Sequence, residues 1–226
     1  MYRHEYKYFI NAGQEMILRI RAAGLLQPDP HTKSDGTYLI RSLYMDDIND
    51  TCLDENMSGT DPRSKFRIRY YNGNPSLMFL EKKSKVRGMC NKVFCKLTLS
   101  DYDDLINGRI PQFSEDTPEM KKQLLTEACI RGMMPKVIVT YERVPFIYNG
   151  GNVRITLDRK ITSSSSLDRF LSADYPERPI LPCGQSLLEV KWDELLPRHI
   201  KDYLLVDGLT WTAFSKYAMC RLFPSG

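Results

Sequence analysis

The sequence predicts an α+β fold, an eight-stranded antiparallel sheet closed into a barrel with helices on its outside. Three observations predict it. Eight stretches read as strands, and six of them alternate in side-chain character with a period of two, the repeat of a β-strand. Several of them carry charge on one face and large apolar groups on the other, as in Leu188, Val190 and Trp192 against Glu189 and Lys191, so the apolar face needs helices as cover. An even number of antiparallel strands also permits closure, which removes exposed edges.

Taken in order, residues 3–9 (RHEYKYF) form the first strand, with Glu5 and Lys7 on one face. A helix follows, because Asn11 with Gln14 three residues on makes a capping box, and Gly24 is the expected stop. A loop rich in Pro, Asp and Gly over residues 27–36 leads to a strand over 37–46. The acidic segment 47–62 holds a short helix around Leu53 and Met57. A hairpin over 65–85 comes next, its arms carrying Lys65, Arg67 and Arg69, then Glu81, Lys83 and Lys85. Its turn, Asn72-Gly73-Asn74-Pro75, has the right chemistry but leaves the turn type open. Residues 91–98 form a strand with Lys92 and Lys96 on one face. Ser100 caps a short helix, and 117–133 reads as a longer one. A β-branched run, 137–140, extends to Arg143, and Gly150-Gly151 turns it back into 152–159. Residues 163–166, four serines, read as loop. Residues 186–192 are the last strand, and Asp193 caps a helix to about Leu205. With no repeat and no linker-like break, one domain over 1–226 is expected.

Composition narrows the function. With 42% hydrophobic and 27% charged residues the chain is an ordinary globular one, and a net charge of +4 is too mild to imply nucleic acid. No apolar run is long enough to span a bilayer, and no apolar stretch opens the chain as a secretory signal. The six cysteines lack any CxxC spacing and are expected to be free thiols in the cytoplasm. The three histidines have no zinc spacing, and there is neither a P-loop nor a dinucleotide fingerprint.

The charged faces carry the chemistry. If the outer face is covered, the ionic faces converge inward. Nine basic groups (Lys7, Arg67, Arg69, Lys83, Lys96, Arg143, Arg154, Lys191, Lys216) then meet four acids (Glu5, Glu81, Asp158, Glu189), an excess of five positive charges. Such an interior calls for a polyanion, since guanidinium forks and ammonium groups are the usual phosphate ligands. The acids suit Mn²⁺ or Mg²⁺ held against phosphate oxygens. Nucleic acid fits less well, because aromatics are not interleaved with the basic face.

These residues resemble the CYTH, or triphosphate tunnel metalloenzyme, superfamily, and more narrowly its VTC domain branch, the polyphosphate polymerases. The motifs are RHEYKY at 3–8, SLYMD at 42–46, KFRIRYY at 65–71, FLEKKSK at 79–85, YERVPF at 141–146, VRITLDR at 153–159, LLEVKW at 187–192 and FSKY at 214–217. Each is weak alone, but eight fall in the family's order across nearly the whole chain. The resemblance implies a tunnel that binds ATP, triphosphate or polyphosphate with a divalent metal. It assigns Arg67, Arg69, Lys83, Arg143, Lys191 and Lys216 to catalysis. Lys7, Lys96, Arg154, Tyr141 and Ser215 would bind substrate. Glu189 is the foremost metal ligand, with Glu5, Glu81 and Asp158 as secondary ligands or partners of the lysines. His4 stands mid-way in an opening motif that usually carries two acids, which weakens a two-metal hydrolase. The first expectation is therefore transfer of the γ-phosphate of ATP to a growing polyphosphate. A triphosphate hydrolase and a non-catalytic polyanion-binding module stay open as alternatives. Coupling synthesis to translocation would need a membrane-protein partner.

Overall fold

A computed structural model describes residues 2–204 and 206–222. The strands are β1 (His4–Asn11), β2 (Gln27–Pro28), β3 (Tyr38–Asp46), β4 (Arg63–Tyr71), β5 (Asn74–Val86), β6 (Met89–Leu97), β7 (Met134–Tyr148), β8 (Val153–Ser164), β9 (Arg178–Pro179), β10 (Gln185–Trp192) and β11 (Thr210–Trp211). The helices are α1 (Ala12–Leu25), α2 (Thr51–Met57), α3 (Leu99–Ile106), α4 (Glu119–Ile130), α5 (Arg198–Leu204) and α6 (Lys216–Leu222).

The eight long strands lie side by side in the order β1-β10-β8-β7-β3-β4-β5-β6, every neighbouring pair antiparallel. The three two-residue strands attach to β1, β7 and β8. The sheet curls strongly, but it is not the closed barrel expected. Among the described residues its two ends meet through a single bridge, in which Arg3 and Cys90 exchange backbone hydrogen bonds of 2.9 and 3.0 Å. The reason lies on the free edge of β1. Tyr8 and Phe9 pair with β11, and Thr212 N donates to Lys7 O at 3.0 Å, so segment 210–212 occupies the groups that β6 would need.

Helices cover the outer face in two cores, as the apolar alternation requires. Val144, Phe146, Ile155, Leu157, Leu188, Val190 and Trp192 pack under α1 and α5, around Leu18, Ala22, Ile200 and Leu204. Phe66, Ile68, Tyr70, Met78, Leu80 and Leu97 pack under α3 and α4, around Tyr102, Leu105, Leu124, Leu125 and Ala128. Helix α6 instead sits against the inward face, where Lys216 meets Asp158 and Glu189.

Local chemistry explains the element ends. Asn11 and Gln14 form the capping box of α1, which runs one residue past Gly24. Thr98, not Ser100, caps α3: its hydroxyl accepts from Asp101 N, and the Asp101 carboxylate accepts from Thr98 N. The hairpin turn resolves to a two-residue loop between Tyr71 and Asn74, with Asn72 (φ 54°) and Gly73 (φ 70°) both left-handed, the type I′ geometry. Ser163 and Ser164 are not loop but the buried end of β8, paired with Val139 and Ile138. Asp193 caps no helix; it binds Arg3 at 2.9 Å, and α5 starts at Arg198. The expected helix end at Leu205 lies outside the described residues.

All six cysteines are free. Burial pushes the Cys52 and Cys220 thiols up to about 12 and the Cys95 thiol up to about 11, whereas Cys183 is exposed. Maleimide labelling of the folded protein near pH 8 is expected to modify Cys183 and spare Cys52, Cys95 and Cys220 until denaturant is added. Peptide mass mapping reads this directly.

Candidate active site

Strand register builds the site. Residues directly opposite across an antiparallel pair share a face. Glu5 stands opposite Lys191, and Lys7 opposite Glu189. Arg143 stands opposite Asp158, Tyr44 opposite Arg67, Ser42 opposite Arg69, Arg67 opposite Glu81, and Lys65 opposite Lys83. Curling then brings distant strands into contact. Lys83 Nζ on β5 lies 2.9 Å from Glu5 Oε2 on β1, although five strands separate them in the sheet order. The cationic sides therefore look at one another across a narrow bore.

Its central cavity, about 90 Å³, is lined by Lys7, Lys65, Arg67, Arg69, Lys83, Arg143, Lys191 and Lys216, with Tyr44, Tyr141, Ser215 and Glu189. Eight cationic side chains face four carboxylates (Glu5, Glu81, Asp158, Glu189), an excess of four positive charges. The carboxylates fall into two kinds. Asp158 is fully buried and saturated: Arg143 donates to both oxygens at 2.6 Å, and Lys216 Nζ adds a third contact at 2.6 Å. Glu81 is likewise taken up, by Arg67 at 2.6 Å, Lys92 at 3.1 Å and Arg69 at 3.7 Å. Burial opposes its ionisation, yet Arg67 and Arg69 hold the Glu81 carboxyl below the usual range.

Glu5 and Glu189 form the other kind. They share two ammonium groups, with Lys191 Nζ 3.2 Å from Glu5 and 2.7 Å from Glu189, and Lys7 Nζ 4.0 and 3.7 Å away. Against burial, Lys83 and Lys7 hold Glu5 well below the usual carboxylate range, and Lys191 and Lys216 do the same for Glu189. Both are thus anionic and flank one spot already occupied by positive charge. That donor set fits Mg²⁺ or Mn²⁺, which bind through one or two carboxylates and complete their shell with phosphate oxygens and water. Among the described residues no group of three or more His, Cys, Asp or Glu could hold a metal on protein ligands alone. Glu81 and Asp158 differ in being held by the guanidinium forks of Arg67 and Arg143, whereas the close partners of Glu5 and Glu189 are lysines.

Opposing terms also tune the cations. Glu5 raises Lys83 and Asp158 raises Lys216, in each case against burial, so both stay charged. Burial lowers Lys191 despite Glu189 and Glu5. Lys65 is pushed well below the lysine range by burial and by the ammoniums of Lys7 and Lys83.

Of the residues expected from sequence, the structure brings Glu5, Lys7, Arg67, Arg69, Glu81, Lys83, Tyr141, Arg143, Asp158, Glu189, Lys191, Ser215 and Lys216 together. Arg154 lies on the same face but further along, bound to Asp29 at 2.5 Å and the Tyr38 hydroxyl at 2.9 Å. Lys96 is exposed on β6 and lines none of the bore's cavities. Two lining residues were not expected. Lys65 donates to Ser215 Oγ at 2.8 Å and to Asn56, and Tyr44 accepts from Arg67 at 2.9 Å. Lys65 had a signal, its alternation with Arg67; Tyr44 sits in a strand buried on both faces and had none.

The VTC domain family model matches residues 2–223. The chain belongs to the VTC domain family. That membership brings a triphosphate-tunnel fold that handles phosphoryl groups and depends on a divalent metal. Similar solved structures include a candidate adenylate cyclase from Bacillus halodurans, 12% identical over 90% of this chain and 87% of that one, with a TM-score of 0.47. Another is the PH1819 protein of Pyrococcus horikoshii OT3, 14% identical over 96% and 97%, TM-score 0.48. A third is a chain of the Schizosaccharomyces pombe Mediator head module, 11% identical over 90% and 89%, TM-score 0.47. At these values none of the three bears on activity. A comparison with curated proteins found no match. No helix among the described residues is long and apolar enough to cross a membrane.

Proposed function

We propose that this VTC domain is a polyphosphate-synthesising phosphotransferase, moving the γ-phosphate of ATP to the end of a polyphosphate chain inside the bore. The observation that carries this reading is the convergence of eight cationic side chains, seven of them paired with carboxylates that fix their aim, around a space lined by no histidine among the described residues. A polyphosphate terminus is already an anion, so its attack needs no general base. Hydrolysis would need water to be deprotonated.

In the transfer step, a terminal oxygen of the chain forms a bond to the γ-phosphorus. The bond from that phosphorus to the β,γ-bridging oxygen breaks, and its electron pair leaves on ADP. Charge on the transferring group is spread over its equatorial oxygens, so positioning and electrostatics do the work. Arg67 and Arg143, aimed by Glu81 and Asp158, present guanidinium forks. Lys7, Lys83, Lys191 and Lys216 supply point charges at the centre. Glu189 and Glu5 would hold Mn²⁺ or Mg²⁺, which when bound neutralises phosphate charge. Incubation of the protein with ATP and Mn²⁺ should yield long-chain polyphosphate and ADP, resolved on a urea gel. Orthophosphate released without polymer would overturn transfer in favour of hydrolysis.

A further inference from the structure

Strand β6 outruns the strand beside it. The antiparallel register that pairs Arg3 with Cys90 sets the rest of β1 alongside residues before Cys90. From Lys92 to Leu97, β6 therefore has β5 on one side and, among the described residues, no strand on the other. Its backbone is aimed at that open side. Cys90 turns its N–H and C=O to Arg3, away from β5, and the pairing with β5 runs on to Leu97 without a bulge. These groups alternate along an antiparallel strand, so those of Lys92, Phe94 and Lys96 point the same way. Asn91 Oδ1 takes the Lys92 N–H at 2.9 Å. The Lys92 carbonyl and both groups of Phe94 and Lys96 have no protein partner among the described residues.

The side chains say what would suit this edge. Cys95 and Leu97 are buried in the core with Tyr102 and Leu124, which holds the strand in place. On the opposite face Phe94 is 53% exposed, beside a cavity of about 440 Å³ that it walls with Tyr38, Tyr71 and Phe79. Lys92 and Lys96 flank it on that face. Lys92 reaches Glu81 at 3.1 Å, and Lys96 has no ion-pair partner among the described residues. A second copy of the chain is a poor occupant, because two β6 edges pairing about Phe94 would twice set Lys92 against Lys96. Edge lysines deter pairing in general, and an acidic strand is the kind they admit. We infer that this edge receives an extended acidic segment of a partner protein as an added antiparallel strand, with a large apolar side chain opposite Phe94 and acids opposite Lys92 and Lys96. Backbone pairing supplies the hold, and the lysines with Phe94 select the segment. The added strand lies in line with β1 and extends the wall of the bore.

Fluorescence anisotropy of the full chain with a labelled peptide containing Glu-Thr-Phe-Thr-Glu tests this. Binding is expected, with hydrogen exchange slowed at the Phe94 and Lys96 amides. Methylating the peptide nitrogens that face β6 should weaken it about tenfold or more, since the side chains stay and the ladder is lost. Phe94→Ala and Lys96→Glu, both at exposed positions, should each weaken it about fivefold, the size of one cross-strand pair. Tripolyphosphate should leave the peptide in place. A peptide that tripolyphosphate displaces and that ignores methylation is only another polyanion in the bore, and the edge reading falls. It falls as well if the peptide does not bind, or if the chain sediments as a dimer with the same two amides protected, which would make a second copy the occupant.

Discussion

Arg143→Met lowers the free energy of unfolding by about 3–5 kcal/mol, the cost of leaving a buried charge without its partner. Asp158 is fully buried, and both of its oxygens depend on Arg143, each at 2.6 Å. Lys216 alone then remains against one oxygen. Replacing both partners removes the uncompensated charge, so Arg143→Met with Asp158→Leu recovers more than half of the loss. Urea denaturation of the three proteins reads this, and a single-variant loss below about 1 kcal/mol would sink it. The contrast is Arg67→Ala. Glu81 retains Lys92 and Arg69, so this variant folds nearly normally while polymer synthesis is lost. The two arginines look alike in sequence. How many other cations their carboxylates keep decides which is a structural liability.

What the sequence disclosed follows from how local its signals are. Period-two alternation is written in consecutive residues, so the inward faces of β1, β4, β5 and β10 were legible, and so was the need for helices over Leu188, Val190 and Trp192. The exchange of partners across the bore was not. Nothing near Lys65 reports that its ammonium meets Ser215, 150 positions away. Alternation on β6 runs on to Lys96, but the bore does not, because Phe79 and Phe94 fill the face next to it. Thr98 and Ser100 each precede an aspartate by three residues, and that degeneracy misplaced the cap of α3. Four consecutive serines outweighed strand pairing at residues 163–164, where Ile138 and Val139 supply the partners. Closure failed for a similar reason. An even strand number permits a barrel, but no local pattern shows that β11 takes the edge of β1 first.

Lys65→Met is expected to make the protein more stable and a worse phosphate binder. The Lys65 ammonium is hydrogen-bonded to Ser215 and Asn56, both neutral, while burial and the positive charges of Lys7, Lys83 and Arg63 oppose its ionisation. Removing it relieves repulsion that only an anionic ligand offsets, so unfolding becomes harder by about 1 kcal/mol. Tripolyphosphate loses a charge-assisted contact worth about 1.5–3 kcal/mol, so affinity falls roughly ten- to a hundredfold. The pH dependence isolates the group. Between the lowered folded-state pKa and about 10.4, the unfolded chain holds a proton on Lys65 that the folded chain has lost. Wild-type stability from this group therefore rises with pH through that window, and the advantage of Lys65→Met shrinks to nothing as pH approaches about 10.4. A variant less stable than wild type at neutral pH, with tripolyphosphate affinity intact, would make Lys65 a structural post for Ser215 instead of a strained ligand.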